Sequence, residues 1–225
     1  MKRHTTVANL LAFLLLTAFS AKAQENINKK HGYTLIFKTN YSSFSPDLEK
    51  RLIKTFFEVY PKLAKEYNQK TPKEVVFFID TAYKGVAAAS NAKVVFNPIY
   101  MENHPEDIDV VTHEVMHIIQ GYGYSSGPVW LTEGIADYVR NKFGVSNAGA
   151  NWSMPDYKQG QSYENSYRIT ARFFTWIDKK VKSGTIKKID QSLREHTYKA
   201  TLWSELTGKN LDELWADYAE NPSLI

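Results

Sequence analysis

The sequence predicts an α+β fold: a small mixed sheet in the N-terminal half, a mostly helical C-terminal half, and one histidine-bearing helix between them. Three observations predict it. Short stretches rich in β-branched and aromatic residues, 33–38, 74–80 and 85–98, all lie in the first half of the chain. From there on, apolar residues recur at helical spacing. At the junction, residues 107–120 read as a helix carrying His113-Glu114-Val115-Met116-His117.

The beginning of the chain has a different character. Lys2-Arg3-His4 precedes an apolar run over 7–19 and then Ala21-Lys22-Ala23, the pattern of a secretory signal peptide cleaved near Ala23. The apolar run is too short for a comfortable membrane span, so no stable membrane insertion is expected. Residues 24–225 then form a single domain, placed outside the cell or in a periplasm. The chain has no cysteine, which excludes disulfides and lipid attachment at a cysteine, and stability must come from packing and from any bound metal. The formal charge of +4 includes Lys2, Arg3 and Lys22, so residues 24–225 carry only +1. That near-neutral balance argues against a nucleic-acid partner. The sequence leaves the oligomeric state open.

Each element has its own signal. Residues 24–31 are polar and read as loose. Residues 33–38 (Tyr-Thr-Leu-Ile-Phe-Lys) form a strand. Ser45-Pro46-Asp47 supplies an N-cap, a first-turn proline and an acid, and Leu48, Leu52, Ile53, Phe56, Val59, Tyr60, Leu63 and Tyr67 continue as an amphipathic helix to about Asn68. Pro61 is expected to kink or split it. Residues 74–80 form a buried strand, and 85–98 a hairpin or two short strands. Pro105-Glu106-Asp107 opens the helix that ends at Gln120, and a turn-rich segment leads to a second helix over 129–140. The stretch 143–162 is irregular, with Trp152, Pro155 and Tyr157, and reads as a cleft rim. Residues 163–181 form a helix, followed by helices at 186–198 and 211–219 with a turn at Thr207-Gly208-Lys209. Trp203 and Trp215 are expected to pack under the two helices that carry His113, His117 and Glu133, and His104 and His196 to be surface residues.

The chemistry concentrates at His113, Glu114 and His117. Histidines four apart on a helix share a face and can bind one zinc ion, while the intervening glutamate reaches a water beside it as general base. A catalytic zinc needs a third protein ligand. A third histidine six residues after His117 is ruled out, because position 123 is glycine. Glu133, sixteen residues on, lies in an apolar neighbourhood where an unpaired carboxylate is costly, so it suits a metal ligand, with a helix-start cap as the plainer alternative. Asp137, one turn further, can accept the free ring N–H of His113 or be an ordinary surface acid. Tyr167 can face the cleft and donate its O–H to the reacting oxyanion, or be a core tyrosine of its helix.

These residues carry a resemblance. His113-Glu114-x-x-His117 followed by Trp130-Leu131-Thr132-Glu133-Gly134-Ile135-Ala136-Asp137 resembles the gluzincin zinc metallopeptidases, in which the downstream glutamate is the third ligand. More narrowly, the chain is similar to the basic secretory protein family of plants and bacteria, regarded as peptidases. Glu133 to Arg140 resembles that family's second motif, Tyr167-Arg168-Ile169-Thr170-Ala171-Arg172-Phe173-Phe174 its Y-x-x-T-A-R-F helix, and Leu206-Thr207-Gly208-Lys209 through Trp215 its C-terminal segment. The similarity spans about residues 34–220, although the plant members' basic character is weak here.

The resemblance implies a zincin-like arrangement, Zn2+ as cofactor and a peptide or protein substrate. It implies a secreted peptidase in which zinc activates water and Glu114 is the general base. The edge near Val86 to Ala89 would hold an extended substrate. Two other readings share these residues: a zinc hydrolase acting on a glycan-linked or cell-wall substrate, and a non-catalytic secreted zinc-binding protein.

Overall fold

The computed structural model describes residues 24–123 and 126–225; the expected signal peptide, 1–23, lies outside them. Strands β1 (Gln24–Lys30), β2 (Tyr33–Thr39), β3 (Glu74–Ile79), β4 (Ala87–Ser90) and β5 (Lys93–Phe96) form one sheet in the order β1-β2-β3-β5-β4. The inner strands β2, β3 and β5 are parallel and both outer strands antiparallel, so the sheet is mixed, as expected. Alternate side chains, Leu35 and Phe37, Val75 and Phe77, Val94 and Phe96, are buried on one face.

Helix α1 (Pro46–Glu66) makes the crossover from β2 to β3. Ser45 Oγ accepts from Leu48 N at its start. Its buried stripe, including Leu52, Phe56, Tyr60 and Leu63, packs on the sheet; Phe56 meets Phe77 edge-to-face at 5.5 Å. Full burial of each such side chain contributes roughly 1.5–3 kcal/mol. Pro61 does not split this helix. Tyr60 and Leu63, both 0% exposed, anchor the turns on either side of it, and Tyr60 Oη also donates to the Pro72 carbonyl at 3.0 Å.

Residues 24–30 are not loose. Polar side chains say little about an edge strand whose stability comes from main-chain pairing; here His31 and Gly32, both at positive φ (54° and 77°), form the two-residue turn that folds β1 onto β2. Helix α2 (Pro98–Asn103), absent from the sequence reading, is nucleated by Asn97, whose side chain accepts from Ile99 N and Tyr100 N.

Helix α3 (Val110–Gln120) begins later than Pro105 and the acids at 106 and 107 suggest. Those acids serve arginines instead: Glu106 pairs with Arg51 through two contacts, 3.1 and 2.7 Å, and Asp107 with Arg140 at 2.5 Å. Helices α4 (Val129–Phe143), α5 (Tyr167–Trp176), α6 (Thr185–Arg194), α7 (Thr201–Thr207) and α8 (Leu211–Glu220) complete the C-terminal half. The expected single helix over 163–181 is instead a 3-10 turn (Tyr163–Asn165), a break at Ser166, α5, and a closing π-helical turn (Ile177–Val181). Helix α6 stops at Arg194, short of the expected 198, and α7 is a further helix that the sequence reading did not contain.

Trp203 and Trp215 make aromatic contacts with α5, which lies between them and the helices that carry His113, His117 and Glu133. Trp203 stacks on Phe174 at 5.9 Å and Trp215 meets Phe173 at 5.0 Å. Helix α5 in turn lies against α4, and α4 against α3. The sheet and α1 therefore support α3 from one side and the helical half from the other. No helix among the described residues is long and apolar enough to cross a membrane.

Candidate active site

Helix α3 floors an open cleft of about 1640 Å³, with β4 on one side and α4 on the other. His113, Glu114 and His117 line it from α3, Glu133 and Asp137 from α4, and Tyr167 from the start of α5. The apolar face of α3, including Val111, Val115 and Ile119, is fully buried, which turns the intervening polar residues toward the cleft.

Three ligand atoms converge. Glu133 Oε2 lies 3.2 Å from His113 Nε2 and 3.4 Å from His117 Nε2, and the two Nε2 atoms are 3.1 Å apart. Ligands at ~2.05 Å from a tetrahedral ion stand about 3.3 Å from one another. The observed spacings therefore fit a zinc-sized ion without rearrangement. The other ring nitrogens point outward and donate: His113 Nδ1 to Asp137 Oδ1 at 2.7 Å, and His117 Nδ1 to Gln120 Oε1 at 2.7 Å. Those bonds fix the tautomers that leave both Nε2 lone pairs for the ion.

The charge balance also suits a dication. Burial alone would lower the His113 pKa, but hydrogen bonds to Asp137 and Glu133 outweigh it and push it up to about 10. Burial would raise Glu133, yet its bonds to His113 and His117 hold it well below the usual carboxylate range. These side chains together favour positive charge between them, which is what a metal cation would supply. Glu114 is 6% exposed. Burial raises its carboxyl and the two histidines only partly offset this, which moves it toward the range useful to a general base.

Tyr167 lines the cleft and is not a core residue. It is 53% exposed, and its ring lies nearly parallel to that of His113 with centroids 6.1 Å apart. Its phenol pKa is raised, first by partial burial and then by Glu133, Asp137 and Glu114, so the O–H keeps its proton and can donate. The backbone that presents it is strained: Ser166 lies at φ 67°, ψ 179° and Tyr167 at φ 48°. The Ser166 conformation is one that glycine alone adopts readily, and such residues cost on the order of 1–3 kcal/mol.

Gln120 was not among the residues picked out in the sequence. It follows His117 by three, a helical neighbour spacing that could have signalled it. Besides accepting from His117, its Nε2 donates to the Thr132 carbonyl at 2.9 Å, which couples α3 to α4 one residue before Glu133. Gln120→Ala should weaken zinc binding by roughly 10–100-fold, measured by competition with a chromogenic chelator. An unchanged affinity would show that Gln120 does not orient His117.

The helices are set by close approaches. A Cβ on Gly134 would lie 2.3 Å from Thr170 Cγ2, so only glycine lets α5 close on α4 beside Glu133. Arg194 holds the far end of α3. Its guanidinium donates to the Tyr67 carbonyl at 2.9 Å and to Asp190 at 2.8 Å, with longer contacts to the Ile119 and Gln120 carbonyls. Asp190, 0% exposed, also accepts from Tyr122 Oη at 2.8 Å. Of the expected rim aromatics, Trp152 lines the cleft over the Arg140 guanidinium, whereas Tyr157 packs on Trp215 and Tyr218. His104 and His196 are exposed; His104 is also part of the cleft wall and stacks on Tyr100.

The model of one family, BSP, peptidase of plants and bacteria, matches residues 17–218. The chain belongs to this family. Its His-His-Glu cluster is of the gluzincin type. A comparison with curated protein sequences gave no match. Among solved structures, this BSP-family chain is similar to aminopeptidase A of Legionella pneumophila in complex with aspartic acid, at 15% identity and a TM-score of 0.55. That match covers 87% of this chain and 28% of the other. It is also similar to an M1 zinc metallopeptidase mutant of Deinococcus radiodurans bound to a Tyr-Ser-Ala substrate, at 13% identity and a TM-score of 0.52, covering 90% of this chain and 53% of the other. These likenesses are of fold, and the chain spans between about a quarter and a half of the length of those proteins.

Proposed function

We propose that this BSP-family protein is a secreted zinc-dependent peptidase, with His113, His117 and Glu133 as ligands and Glu114 as general base. The observation that carries this is the convergence of the three ligand atoms at tetrahedral spacing beside a buried, otherwise unused carboxylate. Secretion rests on the signal-peptide pattern of residues 1–23.

Bound zinc would supply Lewis acidity, polarising the scissile carbonyl and bringing the pKa of water down toward ~7. Glu114 accepts the proton of the attacking water and returns it to the leaving amine. Tyr167 donates its O–H to the carbonyl oxygen as negative charge develops there. Asp137 and Gln120 hold the imidazoles in place throughout.

Substrate binding is supported by β4, an outer strand whose far edge pairs with no other strand among the described residues. Asn91 and Ala92, at φ 47° and 57°, form the two-residue turn between β4 and β5, so Ser90 and Lys93 are the hydrogen-bonded pair next to it. The alternation then points the N–H and C=O of Ala87 and Ala89 away from β5. Tyr83 Oη occupies the Ala87 carbonyl at 2.9 Å. Both N–H groups and the Ala89 carbonyl have no partner among the described residues, and they suit an extended peptide.

Purified protein should contain about one zinc per chain by elemental analysis and cleave members of a diverse peptide library, with cleavage abolished by a chelator and restored by zinc. Zinc-loaded protein that leaves every peptide intact would overturn the peptidase reading.

A further inference from the structure

We infer that the cleft takes an internal stretch of polypeptide, making the protein an endopeptidase; this rests on the peptidase reading above. The first argument is extent. The cleft wall includes Asp107, ahead of α3, and Gly123, beyond its end, so the trough follows the whole helix. With 11 residues, α3 is about 16 Å long, room for about five residues of extended chain at ~3.3 Å each. His113 and His117 stand near the middle of the helix, which leaves space for substrate on both sides of the metal cluster. The volume of about 1640 Å³ also exceeds the ~300–1,000 Å³ usual for a small-molecule pocket.

The second argument is charge. An aminopeptidase must hold a free α-ammonium close to the scissile bond, and a desolvated ammonium needs a carboxylate that is not otherwise engaged. Among the described residues five carboxylates line the cleft, and each is committed. Glu106 pairs with Arg51, Asp107 with Arg140, and Asp137 with His113. Glu133 belongs to the metal cluster, and Glu114 must remain free to take a proton from water.

A carboxypeptidase needs a cation in the same way. Arg140 is held by Asp107 and covered by Trp152. Arg168 is exposed, with a 3.4 Å contact to the Ser153 carbonyl as its one polar contact among the described residues, so water and salt screen its pull on a carboxylate. The groups that do await substrate, on Ala87 and Ala89, read peptide backbone, which is present all along a chain.

The test compares one unstructured peptide in two forms, with free ends and with an acetylated N-terminus and amidated C-terminus. Zinc-loaded protein should cut both at the same interior bond, with kcat/KM values within about threefold. The Glu114→Gln protein should bind both with the same Kd by fluorescence anisotropy. An enzyme anchored on a terminal charge would lose at least roughly tenfold on the blocked form, since hydrogen bonds to charged groups contribute ~1.5–3 kcal/mol. Stepwise release of single residues from the free-ended peptide, with the blocked form intact, would overturn the inference. If protein carrying one zinc cuts neither form, the peptidase reading itself fails and takes this inference with it.

Discussion

Glu114→Gln should leave zinc content and thermal unfolding unchanged while lowering kcat for peptide cleavage by roughly 10²–10⁴-fold, the usual contribution of a positioned general base. The amide has nearly the shape of the carboxylate but cannot accept the water's proton. The fold has little reason to respond, since Glu114 has no hydrogen-bond partner among the described residues and is raised in pKa by burial. Replacing it by a neutral group removes a desolvation cost rather than a supporting bond. The variant also separates roles: His113, His117 and Glu133 keep the metal, and only proton transfer is lost. Wild-type cleavage by Glu114→Gln would show that another group is the base.

Asp190→Ala should be the most destabilising of the substitutions considered, by about 3–5 kcal/mol, because it leaves the Arg194 guanidinium without its counter-charge in a largely buried setting. Arg194 has only 16% of its side chain exposed and Asp190 has none. The Tyr122 hydroxyl loses its acceptor as well. In a chain of 225 residues that loss corresponds to a fall in Tm of roughly 6–20 °C. Asp190→Asn keeps the shape and an acceptor for Tyr122, and should cost less. Urea unfolding midpoints that move by under ~0.5 kcal/mol equivalent would show that the pair does not secure the end of α3.

The site was more legible in the sequence than its surroundings. His113, Glu114 and His117 lie within five consecutive residues, and one helical turn sets their relation. Glu133 and Asp137 are likewise one turn apart, so an apolar helix around them was enough to suggest a shared face. Gln120 is legible only in part: its spacing from His117 is local, but its bond to the Thr132 carbonyl of another helix is a tertiary fact. Tyr167 has two readings in the sequence, cleft and core, and the apolar periodicity of residues 163–181 cannot choose between them; the break at Ser166 puts it at the start of α5, exposed in the cleft.

The sheet shows the same division. The buried strands β2 and β3 announce themselves by composition, whereas β1 is polar and is held by pairing with β2 after the His31-Gly32 turn. The acids at 106 and 107 resemble a helix start, but arginines distant in sequence claim them. Local signals serve where one element carries the pattern, as from His113 to His117, and mislead where the bounds of an element are set by partners elsewhere in the chain.

The open edge of β4 also has a cost outside catalysis. A strand with unclaimed main-chain groups can template the addition of any extended chain, including a partly unfolded copy of the same protein, and so invites aggregation. Here that edge is only four residues long, ends in a tight turn, and faces a cleft bounded on the opposite side by α4. A second folded molecule cannot bring a sheet edge into such a trough, whereas a single extended strand can enter. The walls that admit substrate thus also protect the protein from pairing with itself.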